Sequence, residues 1–169
     1  MPALELDDTD LRLLDLLQAD ASLSNQALAD KAQLSPATCH RRVRRLREEG
    51  VIEREVAIIS PDKLAQALGW GLGALIEISL DVQTQEALDA FEARAVATPE
   101  VQQCWRVSPG PDFVLVVQVA DMPAYQALAR TLFTQDGQVR NVRAFFAVKR
   151  AKFGTQLPLP PDSNKLKQA

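Results

Sequence analysis

The stretch from Ser35 to Gly50 constrains this chain more than any other. Serine followed by proline is a strong helix start, with Ser35 at the N-cap and Pro36 at the first helical position. Gly50 suits the residue that follows a helix C-terminus. Between Lys31 and Arg47 stand six basic residues and no acid. At about 100° per residue, Cys39, Val43 and Leu46 share one face and form the buried stripe. Ala37, Arg41, Arg44 and Glu48 lie opposite, with His40 and Arg45 at the flanks. Arg42 falls nearer the buried edge, placed to pair with an acid of the first helix.

Two shorter helical patterns come before it. In Asp8 to Ala19, Leu11, Leu14 and Leu17 recur three apart, and Asp7, Asp8 and Asp10 sit where carboxylates favour a helix N-terminus. Ser24 to Ala32 supplies a second helix capped by Ser24, with Leu28 one turn from Ala32. Short helices joined by tight turns, the last one basic, read as a helix-turn-helix. In such a unit the first residues of the last helix reach base edges and later ones reach phosphate. Ala37, Thr38 and Arg41 are the base-contact candidates. Ser35, Arg44, Arg45 and Arg47 are the phosphate candidates, with His40 beside them. A merely solvated basic face is the plainer alternative. It fits less well a run with no balancing acids, a capped start and two helices before it.

Composition narrows the rest. The 169 residues exceed one average domain of about 150 residues, so one large or two small domains are open. Hydrophobic residues at 47% and charged ones at 24% exclude a disordered chain, a collagen repeat and a coiled-coil rod. The longest apolar runs, such as Phe113 to Val117, fall short of the ~20 residues of a membrane span. Met1 to Asp8 shows no secretory pattern, which with only Cys39 and Cys104 points to the cytoplasm, without disulfides or a cysteine zinc site. His40 is the sole histidine and is surrounded by arginines, so an enzyme or a histidine metal site is not expected. Net charge is only −3, so the basic segments are local faces on an acidic chain. A second such segment holds Arg140, Arg143, Lys149, Arg150 and Lys152.

After Gly50, the β-rich run Val51 to Ile59 suits a short wing or strand, and Ser60-Pro61-Asp62 breaks it. Gly69-Trp70-Gly71 marks a boundary. Beyond it the pattern alternates. Leu72–Leu80 reads as a strand, Thr84–Ala97 as a helix and Val101–Val107 as a strand. A turn at Ser108 to Pro111 leads to a strand over Phe113–Ala120, a helix from Met122 and a strand over Val139–Lys152. The order βαββαβ is that of a ferredoxin-like domain, helices on one face of an antiparallel sheet. Leu115, Val117, Val119, Phe146 and Val148 are assigned to the open face, where a partner subunit would cover them. The expected organisation is α+β: a winged helix-turn-helix over 1–60, a linker over 61–70, the ferredoxin-like domain over 71–154 and a proline-rich tail over 155–169, mobile at its end.

Ser35-Pro36-Ala37-Thr38-Cys39-His40-Arg41-Arg42-Val43-Arg44-Arg45-Leu46, followed by Glu49-Gly50-Val51-Ile52, resembles the recognition helix of the Lrp/AsnC (feast/famine) transcription regulators. Leu6 to Asp10 and Leu17 to Ala21 resemble that family's first helix. Val107-Ser108 to Asp112-Phe113, and Lys152 to Leu159, resemble its effector domain. The resemblance implies a regulator that binds double-stranded DNA and takes an amino-acid effector at subunit interfaces through Ser108, Gly110 and Asp112. No cofactor, metal or membrane partner is expected. It also implies self-association through the C-terminal sheets as dimers and larger even assemblies such as octamers. The chain departs from the family at Gln33, where glycine is frequent, and at Pro109, which occupies a glycine position and donates no N–H. Ala144 replaces a common small hydroxyl residue. An altered effector specificity is therefore expected.

Two other readings stay open: an architectural DNA-binding protein with little sequence preference, or a regulator indifferent to effectors. A metabolic ferredoxin-like domain that uses its helical half for protein contact fits less well, because Arg41, Arg44 and Arg45 offer charge and no apolar stripe. Trp70 and Trp105 are read as packing anchors, the two cysteines as small buried hydrophobes.

Overall fold

The computed structural model describes residues 5–69, 71–134 and 137–160. The chain divides into two compact units, one taking in Met1–Ile58 and Lys152–Ala169, the other Ile59–Ala151. The readings placed on Trp70 and on the last residues of the tail, 161–169, lie outside the described residues.

The first unit is built on three helices, α1 (Asp8–Ala19), α2 (Asn25–Ala32) and α3 (Pro36–Glu48). Each starts where the sequence supplies a cap. Asp7 accepts the Asp10 N–H and Asp10 returns the bond to the Asp7 N–H, a reciprocal capping box. Ser24 accepts from Ala27, and Ser35 accepts from Thr38 with proline following it. Between α2 and α3 the chain turns through Gln33, whose φ of 58° is left-handed. Glycine carries no steric cost there; Gln33 does. Leu13, Leu28, Ala29, Ala32, Cys39 and Val43 form the core, with Leu16, Leu17, Leu34 and Ile52 packed against it.

The run expected as a wing is not a strand. Residues 53–60 are exposed and outside any ladder. Lys152 onward rejoins this unit. The Gln18 side-chain amide receives the Leu157 N–H at 2.7 Å and donates to the Leu157 carbonyl at 3.2 Å. Gln156 adds a bond to the Gln18 carbonyl at 3.2 Å. The first residues of the proline-rich tail are therefore fastened to α1.

The second unit begins with α4 (Pro61–Leu68), a capped helix within the segment read as linker. Then follow β1 (Leu72–Leu80), α5 (Gln85–Ala97), β2 (Val101–Arg106), β3 (Phe113–Val119), α6 (Met122–Ala129) with a π-helical turn over Arg130–Thr134, and β4 (Val139–Phe146). The sheet is antiparallel in the order β2-β3-β1-β4, the split βαβ arrangement the sequence order predicts. β4 stops at Phe146 and not at Lys152, since β1 begins at Leu72; the last bond runs from the Ala147 N–H to the Gly73 carbonyl.

One assignment is reversed. Leu115, Val117 and Val119 face the helices and are buried with Ile76, Ile78, Phe91, Phe113 and Leu128. Phe146 pairs with buried Ala74 and stacks edge-on against Tyr125, so it lies on that side too. Val148 lies beyond the strand and is fully exposed. The observed faces differ from the expected ones by one position along the strand, and such a shift exchanges every side chain between the two sides. The open face carries instead Leu75, Trp105 and Phe145, exposed at 48%, 58% and 47%. Trp105 is thus no packing anchor within the chain; its indole N–H donates to Gln103.

Candidate nucleic-acid interface and ligand cleft

The surface of α3 is held from below by acids of α1. The Arg42 Nη1 group donates to Asp7 at 2.8 and 2.9 Å and to the Asp10 Oδ1 atom at 2.8 Å. Arg45 donates through Nη2 to the other oxygen of Asp10. Asp10 is the one charged residue in the described interior, at 1% exposure. Burial works against the Asp7 charge, but the Asp10 N–H and the Arg42 guanidinium outweigh it and keep that carboxyl below the usual aspartate range. Asn25 adds a tie between helix starts, its Nδ2 donating to the Pro36 carbonyl at 2.9 Å. Helical projection pointed to an acid for Arg42, but nothing in the spacing singled out Asp10 or Asn25.

Of the DNA-contact candidates, Ser35, Ala37, His40, Arg41, Arg44 and Arg47 are exposed, and Thr38 and Arg45 are half-buried. Among the described residues, neither His40 nor Arg41 has an ion pair or a side-chain hydrogen bond. Ser35 and Thr38 join their hydroxyls at 2.9 Å at the start of the helix. The remaining arginines are partnered within the chain. Arg44 pairs with Glu48 at 2.7 Å and Arg47 with Glu55. The helix thus brings Ala37, His40 and Arg41 together as an unobstructed surface, with Arg44, Arg45 and Arg47 around it in acid contacts.

In the second unit, Ser108, Gly110 and Asp112 share the β2–β3 loop. Gly110 has φ +129°, a conformation side chains rarely adopt, while a Cβ there would meet nothing. The backbone, not close packing, requires glycine. The Asp112 carboxylate accepts the Leu80 N–H at 2.7 Å, and Val107 donates its N–H to the Asp112 carbonyl. Asp112 thus caps the end of β1. Beside this loop lies an open cleft of about 370 Å³ lined by Gln83, Leu88, Arg106, Val107, Ser108 and Asp112. Arg106 was not singled out in the sequence. It bonds Asp89 and Glu92 at 2.7 Å each and lies over the Phe113 ring. Its alternation with Cys104 in β2 was the available signal. Among the described residues no His, Cys, Asp and Glu cluster suits a metal, and no helix is long and apolar enough to cross a membrane.

Residues 6–53 match the winged helix-turn-helix DNA-binding family, and residues 73–157 match the Lrp/AsnC ligand binding domain. Together these define a DNA-binding transcription regulator with a ligand-binding domain. The chain belongs to the Lrp/AsnC family. It is 35% identical to the glutamate uptake regulatory protein of Zymomonas mobilis over 95% of both chains. Among solved structures it resembles an AsnC family transcriptional regulator from Agrobacterium tumefaciens, with TM-score 0.81 and 32% identity, covering 90% of this chain and 97% of that one. It also resembles a transcriptional regulator from Neisseria meningitidis solved as a complex with L-Met, with TM-score 0.78 and 30% identity, covering 91% and 97%.

Proposed function

We propose that this protein is a sequence-specific regulator of amino-acid-related metabolism whose DNA binding is modulated by an amino-acid effector. The observation that carries the reading is the surface of Ala37, His40 and Arg41 on α3. It is exposed and unpaired, while Arg44, Arg45 and Arg47 meet acids of their own chain. An architectural binder relies on unpaired cations spread along the phosphates. Here internal acids temper that attraction, which favours reading of base edges over charge alone.

The second half of the reading rests on the cleft beside Ser108, Gly110 and Asp112. Arg106 brings a cation to its wall and Asp112 an anion, a pairing suited to the two ends of an amino acid. Pro109 and Pro111 remove backbone donors from the loop, which favours a specificity different from that of a glycine-rich loop. The relatives named for glutamate uptake and solved with L-Met support the ligand class. Leu75, Trp105 and Phe145 on the open sheet face support self-association there, with even-numbered assemblies built from dimers.

Selection of duplexes from a random library, followed by competition against unrelated DNA, tests the first half. A consensus that outcompetes random duplex supports it, and equal affinity for both overturns it. Calorimetry against the common amino acids tests the second half; binding of none of them overturns that half.

A further inference from the structure

We propose that Asp10 is a positioning residue for DNA binding, setting the Arg45 guanidinium at the rim of α3 to receive a phosphate. This rests on the reading of α3 as the DNA-contact helix.

Asp10 lies beneath α3 and contacts no solvent of consequence, yet it touches two arginines of that helix with its two oxygens. The arginines are not used alike. Arg42 is turned inward, 24% exposed, and divides its Nη1 between Asp7 and Asp10. Arg45 is 41% exposed and gives only Nη2 to Asp10. Its Nε is buried without a hydrogen bond, with Glu49 a distant 3.8 Å away. Among the described residues its Nη1 donates to nothing, so donors remain for an outside acceptor. Arg42 offsets the Asp10 charge, and Asp7, more than half exposed, is screened by water. Arg45 thus keeps an available cation in a fixed orientation. A planar guanidinium held by one edge loses less freedom on binding phosphate than a mobile one.

The sign of one substitution separates this from simple charge. Asp10→Asn removes a negative charge near DNA, so Coulomb attraction alone predicts tighter binding. Loss of positioning predicts weaker binding. The full chain is tested on a duplex selected from a random library, with affinity measured against salt. Arg45→Ala is expected to weaken binding about tenfold and to reduce the salt slope by roughly 0.9, one phosphate. Asp10→Asn is expected to weaken binding several-fold, but to have no further effect in the Arg45→Ala background. Its thermal destabilisation persists in both backgrounds, so a purely structural role does not reproduce that pattern. Arg45→Lys keeps the charge without the fork and is expected to bind nearly as poorly as Arg45→Ala; it carries the test alone if Asp10→Asn does not fold.

Tighter or unchanged binding by Asp10→Asn, an equal loss in both backgrounds, or full activity of Arg45→Lys overturns the proposal. Arg41→Ala is measured alongside. If it weakens binding while the Asp10 and Arg45 variants do not, only this inference fails; if none of them weakens binding, the reading of α3 fails as well.

Discussion

Asp112 grips the end of β1 twice: its carboxylate accepts the Leu80 N–H at 2.7 Å, and its own N–H donates to the Ile78 carbonyl at 2.8 Å. The loop that lines the cleft is thereby tied to the central strand. Asp112→Ala leaves the Leu80 N–H without its acceptor and is expected to cost about 1–3 kcal/mol in denaturant unfolding. Asp112→Asn keeps an oxygen in place and recovers part of that. A ligand whose ammonium group depends on the carboxylate charge loses affinity in both variants. One that depends only on loop geometry loses affinity in the alanine variant alone, and calorimetry tells the two apart.

Arg41 and Arg44 occupy the same helix face with different surroundings, one unpaired and one bonded to Glu48. Arg41→Ala is expected to weaken binding to a selected duplex by about 1–3 kcal/mol and to blur preference at one base step. Arg44→Ala should weaken all sequences about equally and flatten the salt dependence. Titrations on matched and point-mutated duplexes over a range of salt check both. Identical profiles for the two variants would contradict the division into base and phosphate contacts.

Acid should loosen the first unit through Asp7. Its carboxyl titrates lower in the folded chain than in the unfolded one. The associated stability is therefore fully present above the ordinary aspartate range and is lost as pH falls through the lowered folded value. Asp7→Asn is expected to reduce the melting temperature at neutral pH and to shrink its fall on acidification. Melting followed by circular dichroism from neutral pH down to strong acid gives the comparison. An unchanged acid limb would remove Asp7 from the account.

Leu75 stands mid-strand on the open sheet face, with Trp105 and Phe145 exposed on the same side. On the proposed self-association through this face, Leu75→Glu should lower the mass seen in sedimentation at least twofold, with little change in secondary structure. An unchanged mass would overturn self-association through this face.

The helices were legible because their ends carry their own chemistry: Asp7, Ser24 and Ser35 cap where they stand, and Gly50 takes φ +73° after α3. Strand order was legible for a related reason, since Pro99, Pro111 and Pro123 interrupt the apolar runs where ladders must end. Sheet parity was not. β3 reads Phe113-Val114-Leu115-Val116-Val117-Gln118-Val119, apolar on both sides except at Gln118, so a single polar residue near the strand end was all that marked the side away from the helices. The contacts of Asp10 were hidden for another cause. Two residues far apart in sequence meet only once α1 and α3 are packed, and local spacing is silent about that. The same holds for Asp112 and Leu80.

The pairing of Gln18 with Leu157 spans 139 positions of sequence. During synthesis α1 emerges early, but its fastening is made roughly 7–28 s later at ordinary elongation rates. In that interval the nascent helices are held by their own small apolar cluster and by the contacts of Asp7 and Asp10 with Arg42 and Arg45. Truncation before Leu157, or a bulky fusion joined close behind it, acts on the DNA-reading end of the molecule although the cut lies at the opposite terminus. Carboxy-terminal tags are thus not neutral handles for this chain.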